Sequence, residues 1–544
     1  MNNLSRRSVL ASLIAVPILA TTACGGRSGG AAKGGGGGTQ LNIVTAAQPA
    51  SFSYETSATG YEAAEYFENV NATLIRPVYK EGRGTLSDAQ DVYEFEPMLA
   101  QSYEVSGDGL TYTFHLNTGA KSVAGNSLTA DDVIFTIERK FNVPTSVVPF
   151  VSYPFLSSLE QVKKIDERTV EFTVSQPGHG FTLLSLLAYP FYGIYDSRVL
   201  KEHATSADPY AVEWSNTNGN YGFGAYKVTD FQAGQQTIYE ANPGYVLGEP
   251  AIKKVVQRVV TDPGQRANLV KAGDAHIATQ LRPADMADLA QQESVQVFSV
   301  NSNAMVYMPL TVTAAPFDDV RVRRALSYAI PYARINKDVY RERSEGLAGI
   351  LDPKAPGYSG DGLAPWEFQP AKAKALLSEA GYTSPMTFTL TVNNSYPDLQ
   401  ETAVQIQSAA KDAGFEVTID SMNNAEFQQG LAEQKFQASL GRDYAVVQSP
   451  PYALQLFYAA GSPLNWSNWE NQDFYAALDA GNALPDPLSA EAGMAWNKAQ
   501  KVIQDQVPTI WFTQVQPMIA FGANVSGYAF RTDNVIDYSR LSFV

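Results

Sequence analysis

A single cysteine, Cys24, stands among 544 residues, so no intrachain disulfide, CxxC redox pair or thiolate zinc cluster can form. Histidine is nearly as scarce. His115, His179, His203 and His276 are scattered, and no HExxH spacing sets two ligands on one helical face, so no metal site is expected. Positive charge is short as well: 39 Lys plus Arg face 55 Asp plus Glu, a net charge of −16, which repels polyanions and excludes nucleic acid as the natural partner. Beyond the N-terminus no apolar stretch approaches the roughly 20 residues needed to cross a bilayer.

What is present is a globular composition, 45% hydrophobic, 17% charged and 11% aromatic, with 29 Tyr and 26 Phe. The length exceeds one ordinary core and predicts two or three domains. At the start, Arg6 and Arg7 precede an apolar run from Val9 to Ala20 that is too short to span a membrane and reads as a signal peptide. Ser5-Arg6-Arg7-Ser8-Val9-Leu10 also resembles a twin-arginine signal, and both export routes stay open. Thr21-Thr22-Ala23-Cys24 then resembles a bacterial lipobox, with Thr21 in place of the usual Leu, which makes Cys24 the expected lipidation site. Several acyl chains, each CH₂ contributing about 0.8 kcal/mol, would hold the chain at a membrane. The glycine-rich segment 25–40 reads as a tether with an end-to-end distance on the order of 20 Å.

Leu41-Asn42-Ile43-Val44 alternates and predicts an opening strand, followed by a polar loop carrying Phe52 and Tyr54. Thr111 to Leu116 and Val170 to Val174 alternate as half-buried strands, with His115 in the first expected to be a solvated or satisfied histidine and not a ligand. Thr129 is placed to cap a helix with Asp131 and Asp132 in its first turn, favourable to the dipole. Val322, Ala325, Leu326, Ala329 and Ile330 define one apolar helical face, which leaves Arg321, Arg323 and Arg324 expected on the solvent side. Pro370 opens a helix that Gly381 ends, strand residues Thr387 to Val392 follow, and the helix from Leu399 to Ala413 stops at Gly414 before Phe415 to Ile419. This is the β-α-β rhythm of an α/β domain.

An ordered series of segments carries a family resemblance. Glu96 to Tyr103 followed by Ser106 to Phe114, then Leu128 to Val133, Gly222-Phe223-Gly224-Ala225-Tyr226, Asn242-Pro243-Gly244-Tyr245, Pro316 to Leu326 and Ala371 to Tyr382 together resemble the bacterial extracellular solute-binding proteins of ABC importers, the oligopeptide-, dipeptide- and nickel-binding type. Each segment alone is turn glycines and apolar periodicity; their order is specific. The resemblance implies an α/β fold of two hinged lobes, like a periplasmic binding protein, with an additional inserted domain. It places residues 41–75, 221–300 and 515–544 in the first lobe, 76–220 in the smaller insert and 301–514 in the second lobe, after a signal peptide over 1–24.

The implied function is capture of an oligopeptide or similarly sized solute by lobe closure, for delivery to an ABC permease, by a monomer lipid-anchored to the outer face of the cell membrane and needing no cofactor. An oligosaccharide-binding member of the same family is the alternative. A secreted hydrolase is the other class, and its signatures are missing: there is no GxSxG elbow between a strand and a helix, and Ser408-Ala409-Ala410-Lys411 matches SxxK without SDN or KTG companions. The chain is therefore not expected to be an enzyme. Ligand contacts are expected from loop aromatics, Phe52, Tyr54, Phe223, Tyr226, Tyr444, Trp466 and Trp469, by stacking and hydrophobic walls. Departures from the family pattern fall near the ligand: Lys121 to Gly125 replaces a Phe-His-Asp-Gly segment and Thr311 a strand-end Asn. Peptide-binding members also pair the ligand amine with an Asp shortly before a Pro. Counting back from Pro450 or Pro451 lands on Val446 or Val447, and the nearest acid is Asp443 in Arg442-Asp443-Tyr444, which reaches that role only across an insertion.

Overall fold

The computed structural model describes residues 39–544, apart from 57–60, 83–85, 301, 303, 384, 445–446 and 463. The signal, lipobox and nearly all of the tether lie outside the described residues.

Two large sheets organise the chain. The first holds seven strands in the order Val295–Ser299, Met518–Gly522, Ile277–Ala278, Gln40–Thr45, Lys254–Val259, Gln236–Ala241 and Tyr226–Gln232. Its opening strand sits in the middle, parallel to both neighbours, with Leu41 against Val255 and Ile43 against Ile277. Flanked on both sides, it buries Leu41, Ile43 and Val44 completely. The second sheet holds six strands in the order Ser344–Gly346, Thr509–Val515, Ala304–Pro309, Ala438–Tyr444, Met386–Asn393 and Phe415–Met422. Here the β-α-β rhythm is realised. Met386–Asn393 and Phe415–Met422 pair in parallel through the helix Pro397–Ala410, and Gly414, at φ +89°, makes the left-handed turn that ends the connection.

The chain leaves the first sheet between Ser299 and Ala304 and returns between Val515 and Met518. Two short crossings therefore join the sheets. A four-stranded antiparallel sheet, Ala100–Val105, Thr111–Leu116, Thr169–Thr173 and Val162–Lys164, belongs to the long excursion between the first sheet's strands. Its alternation is the one read from sequence, with Tyr112, Phe114 and Leu116 inward. The helix Ala130–Asn142 covers it, and Asp132 accepts from the Thr129 backbone N–H at 2.8 Å in a capping arrangement. One apolar core runs from the opening strand through this excursion and takes in Val447 and Tyr452 from beyond the second sheet.

The expectation for the three arginines needs correction at one position. Arg321 and Arg324 are accessible, but Arg323 is buried, its guanidinium donating to the carbonyls of Phe317 at 2.7 Å and Gln506 at 2.8 Å. Gln506 ends the helix Ala490–Gln506, so Arg323 supplies donors to a helix C-terminus that apolar periodicity does not reveal. Burial pushes its pKa down to about 10.

Candidate functional site: a cavity at the crossings

A cavity of about 140 Å³ opens where the two sheets meet. One wall is Thr279, Gln280 and Leu281, directly after the strand Ile277–Ala278 of the first sheet, with Met518 and Ile519 beside them. The opposite wall is Tyr340, Arg343, Ser395, Tyr396, Asp398 and Arg442 from the second sheet and its helices, while Gln516 and Pro517 of the returning crossing close one side and Tyr61 faces in from the helix Tyr61–Val70. These positions follow from topology: strand ends and the loops after them line the gap between packed sheets.

The polar wall is ordered. Arg442 donates to Asp398 Oδ2 at 2.8 Å and lies over the Tyr396 ring, 4.9 Å from its centroid. Tyr340 donates to the same Asp398 oxygen at 3.3 Å. Burial holds the Tyr340 and Tyr396 phenols above the usual tyrosine range, so both stay neutral donors at physiological pH. Arg343 reaches Ser299 Oγ at 3.4 Å and accepts at its own carbonyl from the Gln516 N–H at 2.9 Å. It thus touches the end of the outgoing strand and the returning crossing together.

Behind Tyr61, one helical turn on, lies Glu65, a fully buried carboxyl that accepts from Tyr538 and, at 3.0 Å, from Gln257 Nε2. Burial pushes it up to about 7, against the hydrogen bonds that hold its charged form. A second buried group gathers deeper in. Glu55, Arg139 and Lys140 are all inaccessible, with Arg139 3.1 Å and Lys140 3.7 Å from Glu55 and the Lys140 ammonium 2.7 Å from the Tyr195 hydroxyl.

Of the side chains expected from sequence to meet ligand, Arg442 lines this cavity. Asp443, the next residue on the strand, alternates to the other face from Arg442, and its charge adds to burial in raising the phenols of both Tyr307 and Tyr396. Tyr444 ends the same strand, paired to Ala304 through its backbone. Phe52 is buried, 4.8 Å from Tyr66 and 5.0 Å from Phe231 by ring centroids. Tyr54 packs between Phe67 and Phe191 with the Lys140 ammonium 5.3 Å from its ring. Phe223 and Tyr226 have no exposure, and the Tyr226 hydroxyl donates to the Ile252 carbonyl at 2.9 Å. Trp469 is buried against Tyr458 and Phe474, with Trp466 packed on the same cluster. Val446 and Cys24 lie outside the described residues; Val447 is buried in the core. Sequence reading missed Tyr61, Tyr340, Arg343, Tyr396 and Asp398. Tyr396-Pro397-Asp398 before an apolar helix is a helix-start signal and reads as nothing more until the topology places it.

A sequence profile of the bacterial extracellular solute-binding proteins, family 5 (middle), matches residues 94–464, more than half of the chain. Di/tripeptide-binding protein 2 of Pseudomonas aeruginosa (strain UCBPP-PA14) is 27% identical over 520 residues, covering 91% of this chain and 95% of that one. Among solved structures, the dipeptide binding protein of Pseudoalteromonas sp. SM9913 in complex with Met-Leu superposes with a TM-score of 0.79 at 22% identity, over 93% of this chain and all of that one. The A. tumefaciens R10 binding protein AgaA in complex with agropinic acid gives 0.77 at 23%, over 93% and 99%. The fold is accordingly the two-lobe fold of periplasmic binding proteins, and the chain belongs to the bacterial extracellular solute-binding proteins of family 5.

Proposed function

We propose that this chain captures a peptide or peptide-sized solute outside the cytoplasm and presents it to an ABC permease. The observation that carries this reading is a cavity walled from both large sheets at their crossings, so that a solute bound there contacts both lobes and favours the closed arrangement by its differential affinity. Relatives named for di- and tripeptides favour a peptide over an oligosaccharide. Membership in a solute-binding family favours capture over hydrolysis. The lobes are taken as 41–75 with 221–300 and 515–544, and 301–514, with 76–220 as the insert. A thermal-shift screen of di- to nonapeptides against oligosaccharides tests the ligand. Peptide-specific stabilisation is expected, and stabilisation by oligosaccharides alone would reverse the assignment.

The same reading places the protein on the outer face of the membrane through lipid at Cys24, with 25–40 as its tether and the body monomeric. Cys24→Ser should leave a folded protein that fractionates as soluble. A serine variant that stays membrane-bound after a salt wash would remove the lipid anchor from the proposal.

A further inference from the structure

Arg266, in the helix Pro263–Ala272, is 2% exposed and has no carboxylate within 4.0 Å among the described residues. Burial holds its pKa below the ordinary arginine value, and Asp262, Glu62 and Asp285 offset this only from a distance. All of its hydrogen bonds go to backbone: Nη1 donates to the carbonyls of Val260 at 2.6 Å and Thr261 at 2.9 Å, Nε to that of Thr279 at 3.0 Å and Nη2 to that of Gln280 at 2.7 Å. One guanidinium thus ties together the ends of Lys254–Val259 and Ile277–Ala278, the two strands that flank the opening strand Gln40–Thr45. Thr279 and Gln280 are also part of the cavity wall, and Gln280 stands in it at φ +53°, a left-handed conformation that is unfavourable for a residue carrying a side chain. Packing does not ask for a charge here. The neighbouring Ala267 and Val270 bury against an apolar cluster, and a guanidinium gives up its water on joining them. What the charge does is hold four carbonyls.

We infer that Arg266 is a positioning residue for capture: it holds the Thr279–Gln280 wall in the form that receives the solute, without itself lining the cavity. The inference rests on the capture function proposed above and adds to it a residue behind the wall. A planar fork of five donors reaches carbonyls on two chain segments at once, which the compact ammonium of a lysine, with three donors, cannot span. Removing it orphans the carbonyls just past both strands, while the strands stay paired to Gln40–Thr45 through their own ladders. Gln280 is then released from its left-handed conformation. The wall loosens and the sheet stands.

Isothermal titration of the purified chain with alanyl-leucine, paired with amide hydrogen exchange in the absence of solute, tests this. Arg266→Ala should weaken binding at least about tenfold, the loss of hydrogen bonds from a charged group, and Arg266→Lys should recover only part of it. Exchange should rise at 279–281 in both variants and keep the wild-type rate in Gln40–Thr45. The sharper comparison is at Gln280, where glycine and alanine both remove the amide but only glycine takes a left-handed conformation freely. With Arg266 present, Gln280→Gly and Gln280→Ala should bind alike; in the Arg266→Ala background the glycine variant should bind about fivefold tighter than the alanine one. If Arg266→Ala does not fold, the same pair is compared in Arg266→Lys. Equal affinities of the pair in both backgrounds overturn the inference, and so does exchange that rises across the whole first sheet, which would make Arg266 a general support of the fold. Binding of alanyl-leucine that is unchanged in Arg266→Ala overturns the positioning role and leaves peptide capture intact. No binding of alanyl-leucine by the wild type, with exchange raised only at 279–281 in the variants, upholds the positioning of the wall and counts against the peptide reading.

Discussion

Thr182 and Ser449, 267 residues apart in sequence, share a buried hydrogen bond of 2.6 Å between their hydroxyls. Thr182 sits in the excursion from the first sheet and Ser449 precedes the helix Pro450–Tyr458 that follows the second sheet, so the bond spans the two halves of the molecule. Around it the Phe155 and Tyr452 rings approach to 6.1 Å, and Tyr452 and Val447 enter the apolar core of the first half. Part of what holds the two halves together is therefore protein against protein.

Replacing Thr182 by Val keeps the shape and leaves the Ser449 hydroxyl buried without this partner. Such a loss costs about 1–3 kcal/mol. Because an opened form would hydrate Ser449, the cost should fall on the closed state and show as weaker solute binding. In a double-mutant cycle with Ser449→Ala, calorimetric affinities should reveal coupling between the two sites; strictly additive losses would mean that the bond does not contribute to closure.

Gly178 lies against the other half through backbone. A Cβ at this position would collide with the carbonyl oxygen of Leu484 and stand 3.5 Å from that of Asn482. Its own backbone angles are ordinary, so alanine is compatible with an open form. Gly178→Ala should therefore fold and bind poorly. Small-angle scattering at saturating solute should show the wild type compacting and the variant keeping the larger radius of gyration, and equal compaction would rule out this contact as part of closure.

Glu65 ties stability to pH. Its carboxyl, pushed up to about 7 by burial, keeps its proton in the folded chain over a range where the unfolded chain has lost it. Its contribution is complete below the unfolded value near 4.5 and is lost as pH rises through about 7. Glu65→Gln, which stays neutral, should gain on the wild type between pH 5 and pH 8 by about 2–3 kcal/mol. Urea melts of the two proteins across that range should diverge as pH rises, and parallel curves would place the titration elsewhere.

Lys140 works in the opposite direction on pH. Burial, only partly offset by Glu55, pushes its ammonium down to about 8, so the unfolded chain binds the extra proton between about 8 and 10.5 and stability from this group rises with pH through that window. Lys140→Met leaves the Glu55 to Arg139 pair at 3.1 Å intact and removes the slope. The stability difference between wild type and variant should shift by about 3 kcal/mol in favour of the wild type from pH 8 to pH 10.5. Thermal melts of both proteins measure it, and a constant difference would mean that Lys140 does not titrate there.

Local physics made much of the fold legible. The strands at Leu41, Thr111 and Phe415 announce themselves by alternation, and Gly414 sits at the left-handed turn that its place after an apolar helix implies. The site was less legible for a physical reason. Aromatic supply in loops suggested a stacking surface, yet Phe223 and Tyr226 are core residues whose loops turn inward, while the cavity wall comes from residues such as Arg343 and Asp398 that local periodicity marks as ordinary polar positions. Arg323 fell to the same difficulty. A helix C-terminus distant in sequence and waiting for donors leaves no trace near the arginine that supplies them.

The order of strands has a consequence in time. The opening strand Gln40–Thr45 is separated from Met518–Gly522 in the same sheet by only two residues of strand, Ile277–Ala278, and Thr509–Val515 lies inside the other sheet between Ser344–Gly346 and Ala304–Pro309. Neither sheet can be completed until the final forty or so residues exist, which at about 5–20 residues per second arrive on the order of a minute after the first strand. Until then each sheet, once its earlier strands are made, carries an open edge where a neighbour is missing, and an unpaired edge invites mispairing with other chains. A nascent chain of this topology gains from a holdase that keeps it apart from its copies until the C-terminus is made, and a truncation of the last strands should damage both halves of the molecule at once.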